Sequence, residues 1–242
     1  MIYFFRMRVN KYLAQCGLGS RRHVESLILA GRVSLNGATI TNLATDIADD
    51  ATVLVDGKPV TPPTDKVYIL LNKPDGVVST TADPQGRRTV LDVLRANPKQ
   101  YGNLLNRLRL YPVGRLDYHT TGLLLLTNDG DLTKKLTHPS THVDKVYLAT
   151  VDRPVTKQQL ETLSRGVKID GRLTAPALFE YIKHDRTQIR VTIHEGRNRQ
   201  IRKMFATQDL NVVTLTRVQE GKLRLGDLAV GDWRLISKNQ II

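Results

Sequence analysis

A chain of 242 residues, 40% of them hydrophobic, is long enough for one large domain or for a small domain joined to a medium one. Its formal net charge of +13 favours a polyanionic partner, and nucleic acid fits better than a membrane because no long basic amphipathic helix is evident. The single cysteine, Cys16, excludes an internal disulfide and favours a reducing, cytoplasmic environment. A basic protein whose lysines are merely solvated is the alternative.

The start of the chain is interpreted as an extension. The apolar run before Arg6 is too short for a signal peptide or a membrane span. Met7 is therefore a candidate for the true start, with residues 1–6 as an upstream addition.

Residues 7–57 are predicted to form a small helix–helix–strand domain. Apolar residues at helical spacing begin a first helix near Val9, and Ser20 is a good N-cap for a second one. Asn36 and Gly37 form a strong hairpin-turn signal between two short alternating stretches. A later strand, TVLVDG, closes this domain.

The two helices of this domain are strongly basic. Arg21 and Arg22 fall in the first turn of the second helix, where the helix dipole disfavours cations. A phosphate ligand would explain that position, and arginines that simply point into water are the alternative. The candidate phosphate contacts are Arg8, Lys11, Arg21, Arg22 and Arg32.

Residues 58–66 are proline-rich and polar, and they predict a linker. Beyond it, VYILLNKP is typical of a buried strand, and further strands are interspersed with the helical stretches TVLDVLRANP and TKQQLETLSR. Residues 67–242 are therefore predicted to form an α+β domain with a mostly antiparallel mixed sheet flanked by helices. Residues 58–242 carry 30 of the 36 basic residues and 18 of the 23 acidic ones.

Common metal and cofactor motifs are absent from the sequence. There is no Cys-x-x-Cys, no phosphate loop, no G-x-G-x-x-G and no G-x-S-x-G elbow. His138 and His142 are four residues apart, but Pro139 between them disfavours a shared helix face. The sequence therefore predicts neither a metal nor a cofactor, and carboxylates remain as candidate catalytic groups.

Asp117 is the most informative carboxylate. It precedes GLLLLT, a run typical of a buried strand, and Arg115 lies two residues before it. A carboxylate at that position would be partly removed from water, so it would stay ionised only with a cation and hydrogen-bond donors nearby. A structural turn aspartate that caps backbone N–H groups is the alternative.

The stretch HEGRNRQIRKMF concentrates positive charge. Apolar residues interleave with its cations at helical spacing, so a buried face would hold the cations on a short rigid element. Cations fixed in this way suit phosphates or a buried carboxylate, and a solvated basic helix is the alternative. The cations are Arg197, Arg199, Arg202 and Lys203.

The stretch VDKVYLATV alternates like a strand. Its pattern places Lys145 and Tyr147 on one face. A tyrosine beside a lysine can stack on a base, although it is also an ordinary strand residue.

Taken together, five segments resemble the signature segments of the RsuA/RluB type of bacterial ribosomal RNA pseudouridine synthase. The first segment resembles the RNA-binding module named after ribosomal protein S-four, and the resemblance runs from about Arg8 to the C-terminus. In chain order the segments are KYLAQCGLGSRRHVESLILAGRVSLNG, LLNKPDGVVST, YPVGRLDYHTTGLLLLTNDG, KVYLATV and EGRNRQIRKMF.

The resemblance implies isomerisation of a chosen uridine in ribosomal RNA to pseudouridine, without a cofactor or a metal. By motif position, it implies that Asp117 is the essential aspartate, that Tyr147 stacks on the target base and that Arg202 pairs with the aspartate. Arg199 and Lys203 are close enough in sequence to take the pairing role instead. Arg115 would help to hold the flipped nucleotide. RNA-binding roles are implied for Arg115, Arg197, Arg199 and Lys203.

The resemblance favours 23S ribosomal RNA over 16S ribosomal RNA or transfer RNA, although the sister branches share every catalytic motif. The expected protein is a cytoplasmic monomer that acts on ribosomal RNA, or on a ribosome assembly intermediate, without a membrane. A non-catalytic RNA-binding or assembly protein is the alternative from another class. The intact set of Asp117, Tyr147 and Arg202 favours the enzyme, because binding alone has no need of a buried aspartate.

Overall fold

The computed structural model describes residues 6–97 and 107–242. The chain divides into two compact units. The N-terminal unit contains residues 6–66 and 107–109, and the C-terminal unit contains residues 67–97 and 110–242. In these ranges, no helix combines the length and the hydropathy needed to cross a bilayer.

The N-terminal unit packs two helices against short strands. Its elements are β1 (Met7–Arg8), α1 (Val9–Gln15), α2 (Arg21–Leu29), β2 (Val33–Leu35), β3 (Ala38–Ile40), β4 (Asp46–Ile47), β5 (Val53–Val55) and β6 (Lys58–Pro59). The strands β3, β2, β5 and β6 form an antiparallel sheet in that order, and β1 pairs with β4.

Local sequence signals account for this unit. The Ser20 side chain accepts a hydrogen bond from the backbone N–H of His23 at 3.1 Å, which confirms the predicted N-cap of α2. Asn36 and Gly37 both have positive φ values, as a tight β2–β3 hairpin requires. The apolar faces of α1 and α2 form a core with β2, β4 and β5.

The first residues of the predicted linker are ordered parts of the N-terminal unit. Lys58–Pro59 pairs with β5, and the N–H of Val60 donates to the carbonyl of Val53 at 3.0 Å. The Tyr12 hydroxyl also donates to the carbonyl of Val60. Pro59 is tolerated because β6 lies at the edge of its sheet, where a missing N–H breaks no ladder.

The C-terminal unit is built on one large sheet with helices around it. It contains the helices α3 (Val90–Ala96), α4 (Gly130–Thr137), α5 (Lys157–Arg165) and α6 (Gln200–Ala206). Its strands are β7 (Tyr68–Lys73), β8 (Tyr111–Pro112), β9 (Thr121–Thr127), β10 (Lys145–Val151), β11 (Lys168–Ile169), β12 (Arg172–Leu173), β13 (Leu178–Ile182), β14 (Asp185–Ile193), β15 (Val212–Glu220), β16 (Leu223–Arg224) and β17 (Trp233–Leu235).

The large sheet has the order β13-β14-β10-β15-β9-β7-β17, with β16 beside β15 and β8 beside β9. Its pairs are antiparallel except for the parallel pair β15–β9, so the predicted α+β class with a mostly antiparallel mixed sheet is confirmed. The strand β15 joins two antiparallel groups, with β10 on one side and β9 on the other.

The junction of β9 and β15 requires a glycine. Gly122 has a φ of +102°, and it pairs with Arg217 across the parallel contact. A Cβ atom at Gly122 would lie 2.2 Å from the carbonyl oxygen of Arg217, which is far inside van der Waals contact. The absence of a side chain therefore lets the start of β9 approach β15 closely.

Candidate active site

A cleft of about 670 Å³ lies in the C-terminal unit, where β9, β10 and β15 run side by side. Its buried wall includes Tyr147, Arg217 and Glu220, and the half-buried Asp117 also lines it. The remaining lining includes four cations, Arg115, Lys145, Arg197 and Arg199, and three histidines.

A buried lysine binds the turn that carries Asp117. Lys73, at the end of β7, has no exposed surface, and its ammonium donates to the carbonyls of Pro74, Tyr118 and Thr120 at 2.9–3.3 Å. Burial lowers the pKa of Lys73 to about 8, although the carboxylates of Asp75 and Asp117 act in the opposite direction. The turn between β8 and β9 is thereby tied to the end of β7.

Arg202 braces the same turn but does not pair with Asp117. Both residues lie in the described ranges. The guanidinium of Arg202 donates to the carbonyls of Val212 and His119, each at 2.7 Å. Burial lowers the pKa of Arg202, and the nearby charge of Asp117 opposes that shift. The predicted direct ion pair is thus not seen, and the two terminal nitrogens of the Arg202 guanidinium bind backbone carbonyls instead.

The buried Arg217 is not predicted from the sequence. It lies opposite Tyr147 in the β10–β15 ladder and is 2% exposed. Its Nε donates to the carbonyl of Leu123 at 2.8 Å, and its Nη2 lies 3.3 Å from the Glu220 carboxylate. Burial favours the neutral guanidinium, but Glu220 and Tyr147 outweigh burial and raise the pKa of Arg217. The sequence signal for this residue is its position in VVTLTRVQE, where Arg217 lies on the same face of the strand as the buried Leu215.

Tyr147 faces the cleft from the middle of β10. It is 8% exposed, and a register shift between Val146 and Tyr147 interrupts the β10–β15 ladder beside it. Such irregularities re-aim side chains and are frequent next to functional sites. Burial raises the pKa of Tyr147, so its phenol stays neutral near pH 7. Lys145 lines the same cleft, and burial lowers its pKa.

The basic stretch before α6 contributes to the rim. Arg197 and Arg199 line the cleft, as does the exposed Arg115. Arg199 is the N-cap of α6 and has a left-handed backbone with φ 52°. Lys203 lies outside the cleft lining, and its ammonium pairs with Asp170 at 2.5 Å. The face of α6 predicted to be buried is buried, at Ile201, Met204 and Phe205.

The basic residues predicted in the first domain all lie in the N-terminal unit. Arg32 pairs with Asp56 at 2.5 Å, and Arg8 contacts Asp46 and the carbonyl of Ala44. The other three differ in environment: Lys11 is half-buried, Arg21 donates to Asn10 at 3.3 Å and Arg22 is exposed.

Comparisons with known proteins agree with this architecture. A model of the RNA pseudouridylate synthase family matches residues 67–207, and an S4 domain model matches residues 7–53. The ribosomal large subunit pseudouridine synthase B of Bacillus subtilis (strain 168) is 39% identical over 97% of this chain and 93% of that protein. The ribosomal small subunit pseudouridine synthase A of Escherichia coli (strain K12) is 37% identical over 97% and 98%, respectively.

A solved structure described as a pseudouridylate synthase superposes with a TM-score of 0.68 and 29% identity. The superposition covers 97% of this chain and 98% of that one. The family match spans more than half of the chain, and the relatives match nearly all of it. The chain therefore belongs to the RNA pseudouridylate synthase family and carries an S4 domain before its synthase domain.

Proposed function

We propose that this protein converts a specific uridine of 23S ribosomal RNA to pseudouridine, with Asp117 as the catalytic residue. The observation that carries the proposal is the position of Asp117, half-buried in one cleft with the buried Tyr147 and a basic rim. A cytoplasmic site of action fits a ribosomal RNA substrate and a chain with a single cysteine.

The reaction breaks the bond from ribose carbon-1′ to base N1 and forms a bond from carbon-1′ to base carbon-5. The hydrogen on carbon-5 leaves as a proton, and N1 gains one, so nothing is oxidised or hydrolysed. One ionised carboxylate suffices: Asp117 either attacks carbon-1′ or removes the 2′ proton. Both routes require the base to leave its stack and to rotate while it is held.

The surroundings of Asp117 suit these requirements. Lys73 and Arg202 place positive charge near the carboxylate, and both hold the turn that carries it. Arg202 acts in the proposal as a positioning residue through the carbonyl of His119. The neutral ring of Tyr147 offers the flipped uracil a new stacking face, worth about 1–3 kcal/mol per base.

RNA binding is assigned to two sets of basic residues. On the cleft, the exposed Arg115 and Arg199 are placed to contact phosphates near the target nucleotide. Arg197 has a weaker claim, because its guanidinium already donates to Glu195 and to the carbonyls of Arg172 and Leu173. Lys203 has a weaker claim, because Asp170 already neutralises it. In the N-terminal unit the contacts are assigned to Arg8, Lys11, Arg21, Arg22 and Arg32, which would hold RNA distant from the target base.

Replacing Asp117 with Asn tests the catalytic assignment. The change keeps the shape of the side chain but removes its charge, so pseudouridine formation should be abolished while RNA affinity stays nearly unchanged. The assay measures tritium released from ribosomal RNA that carries 5-tritiated uridine, with affinity measured by filter binding. Asp209→Asn, at an exposed position outside the cleft, is the control and should keep full activity. Full activity of Asp117→Asn would remove the assignment.

The substrate has one competing candidate, 16S ribosomal RNA. The small-subunit relative is almost as similar as the large-subunit relative, at 37% against 39% identity. Pseudouridine maps of ribosomal RNA from cells with and without this gene would separate the two. A site lost from 23S RNA supports the proposal, a site lost only from 16S RNA supports the alternative, and unchanged maps of both contradict each of them.

A further inference from the structure

Two histidines form a pair on the cleft that the proposed reaction does not use. The rings of His142 and His194 lie with their centroids 5.9 Å apart and their planes at 67°, an edge-to-face contact. Both residues line the same cleft as Asp117 and Tyr147. His142 is exposed and His194 is half-buried, so the pair stands at the boundary between the cleft and solvent.

The backbone at His142 is strained. Its φ of 42° and ψ of 43° lie in the left-handed region, directly after the short 3₁₀ turn Pro139–Thr141. Residues other than glycine seldom adopt this conformation, and such strain concentrates at functional sites. Arg199 has the same left-handed backbone on the same cleft, and its guanidinium suits a phosphate.

The ring contact does not cover all the ring faces of the pair. In an edge-to-face pair, the ring that presents its edge keeps both faces uncovered by its partner. Unstacked bases in RNA are commonly held on such aromatic faces, histidine included. A metal is the competing use of paired histidines, but no group of three potential ligands that could hold one occurs in the described ranges.

The reaction itself creates a need for such a face. When a uridine flips into the cleft, the bases that flanked it each lose a stacking partner. A neighbouring base can then remain unstacked in water or stack on the protein. The His142–His194 pair is available on the cleft that receives the flipped base, and the exposed Arg199 is available for the connecting phosphate.

We propose that His142 and His194 form a second base-binding site, which stacks on an unpaired nucleotide adjacent to the flipped uridine. The inference rests on the proposed function, since it requires a flipped nucleotide in this cleft. It assigns the pair to binding and positioning of the RNA and leaves the chemistry to Asp117.

His142→Asn tests the proposal with little added backbone strain, because asparagine tolerates the left-handed conformation. Loss of the ring should raise KM for ribosomal RNA isolated from cells lacking this gene by about 5-fold to 100-fold, with kcat nearly unchanged. His194→Phe, at a position without a positive φ, keeps a stacking face and should stay near the wild-type KM. His184→Asn, an exposed histidine outside the cleft, is the matched control.

A substrate series completes the test. Synthetic RNA fragments spanning the modified uridine are prepared with the base removed from one flanking nucleotide at a time. One abasic fragment should abolish the difference in KM between wild type and His142→Asn. The proposal is overturned if that difference persists on every abasic fragment, or if His142→Asn has the wild-type KM. Wild-type turnover and the Asp117→Asn variant report on the proposed function separately, so the two failures are distinguishable.

Discussion

At the scale of single residues, Lys73 is a buried cation without an ion pair to a described residue. Its ammonium is fully buried and is surrounded by three backbone carbonyls instead of a paired carboxylate. Carbonyl oxygens satisfy its donors without neutralising its charge, which explains why burial still lowers its pKa to about 8. The residue stabilises the turn of Asp117 at the cost of a buried charge.

This environment predicts a characteristic pH dependence of stability. Below about pH 8 Lys73 is protonated in both the folded and the unfolded chain, so the cost of burying its charge is fully present. Between pH 8 and its unfolded pKa near 10.5, the unfolded chain binds more protons, and the free energy of unfolding should rise with pH. Relative to Lys73→Met, wild type should gain up to about 3 kcal/mol over this range.

Urea unfolding of both proteins at pH 7.5, 9 and 10 measures this difference. Comparison with the variant cancels the titration of other groups. Parallel pH profiles would show that the buried ammonium has an ordinary pKa, and would contradict the proposed cost of its burial.

The residues of the site differ in how far the sequence predicted their positions. The placement of Asp117 before a buried strand could be read from GLLLLT, and Tyr147 from strand alternation. The hydrogen-bond partners of Arg202 could not be predicted from the sequence, because they depend on which carbonyls lie near its guanidinium in the folded chain. Arg217 was missed because an arginine in a strand usually points to solvent, whereas here Glu220 and Leu123 compensate for its burial.

At the scale of elements, the parallel contact between β9 and β15 depends on the absence of one side chain. Gly122→Ala should be strongly destabilising, by more than about 3 kcal/mol, because the new methyl group meets the Arg217 backbone as well as an unfavourable φ. Gly171→Ala is the matched control, since it has a φ of +78° but open space around it, and it should cost only about 1–2 kcal/mol.

Thermal unfolding of the two variants would measure both effects. Since Gly122 lies five residues from Asp117, its variant should also lose activity below its melting temperature. Equal destabilisation of the two variants would mean that β9 and β15 can separate at little cost.

Local signals explain which elements were predicted. The helices α3 and α5 lie where TVLDVLRANP and TKQQLETLSR placed them, since each begins with a threonine capping box. The helix α4 was not predicted, although Asp129 caps it by accepting from the backbone N–H groups of Asp131 and Leu132. The parallel pairing of β15 with β9 joins residues more than 90 positions apart, and no local pattern encodes such a contact.

At the scale of the whole molecule, the net charge of +13 predicts RNA binding that weakens steeply with salt. The N-terminal unit allows a direct test, because its arginines differ in pairing. Arg22 is exposed and forms no ion pair with a described residue, whereas Arg32 is paired with Asp56. Arg22→Ala should weaken ribosomal RNA binding and reduce the salt slope by about one, and Arg32→Ala should do so less.

Filter binding at several salt concentrations gives both slopes. Neither variant should change the turnover number at saturating RNA, because both residues lie outside the unit that contains the cleft. Equal losses of RNA affinity in the two variants would show that the pairing with Asp56 does not keep Arg32 from contacting RNA.

The sequence predicts the division of the chain into two units only in outline. The proline-rich stretch predicts a linker at residues 58–66, and the structure assigns all of these residues to the N-terminal unit. Residues 107–109 also belong to the N-terminal unit. No change in composition predicts this, because these residues are far in sequence from the rest of the unit.

The position of β15 in the large sheet has a consequence for biosynthesis. A ribosome releases β9 and β10 well before β15, yet β15 is the strand that lies between them. Until the residues from Val212 onward emerge, the nascent chain holds two incomplete sheets with open edges, which are prone to wrong pairing. A chain that stops before Val212 would already contain the acid and the tyrosine, but on separate sheet fragments without the strand that joins them.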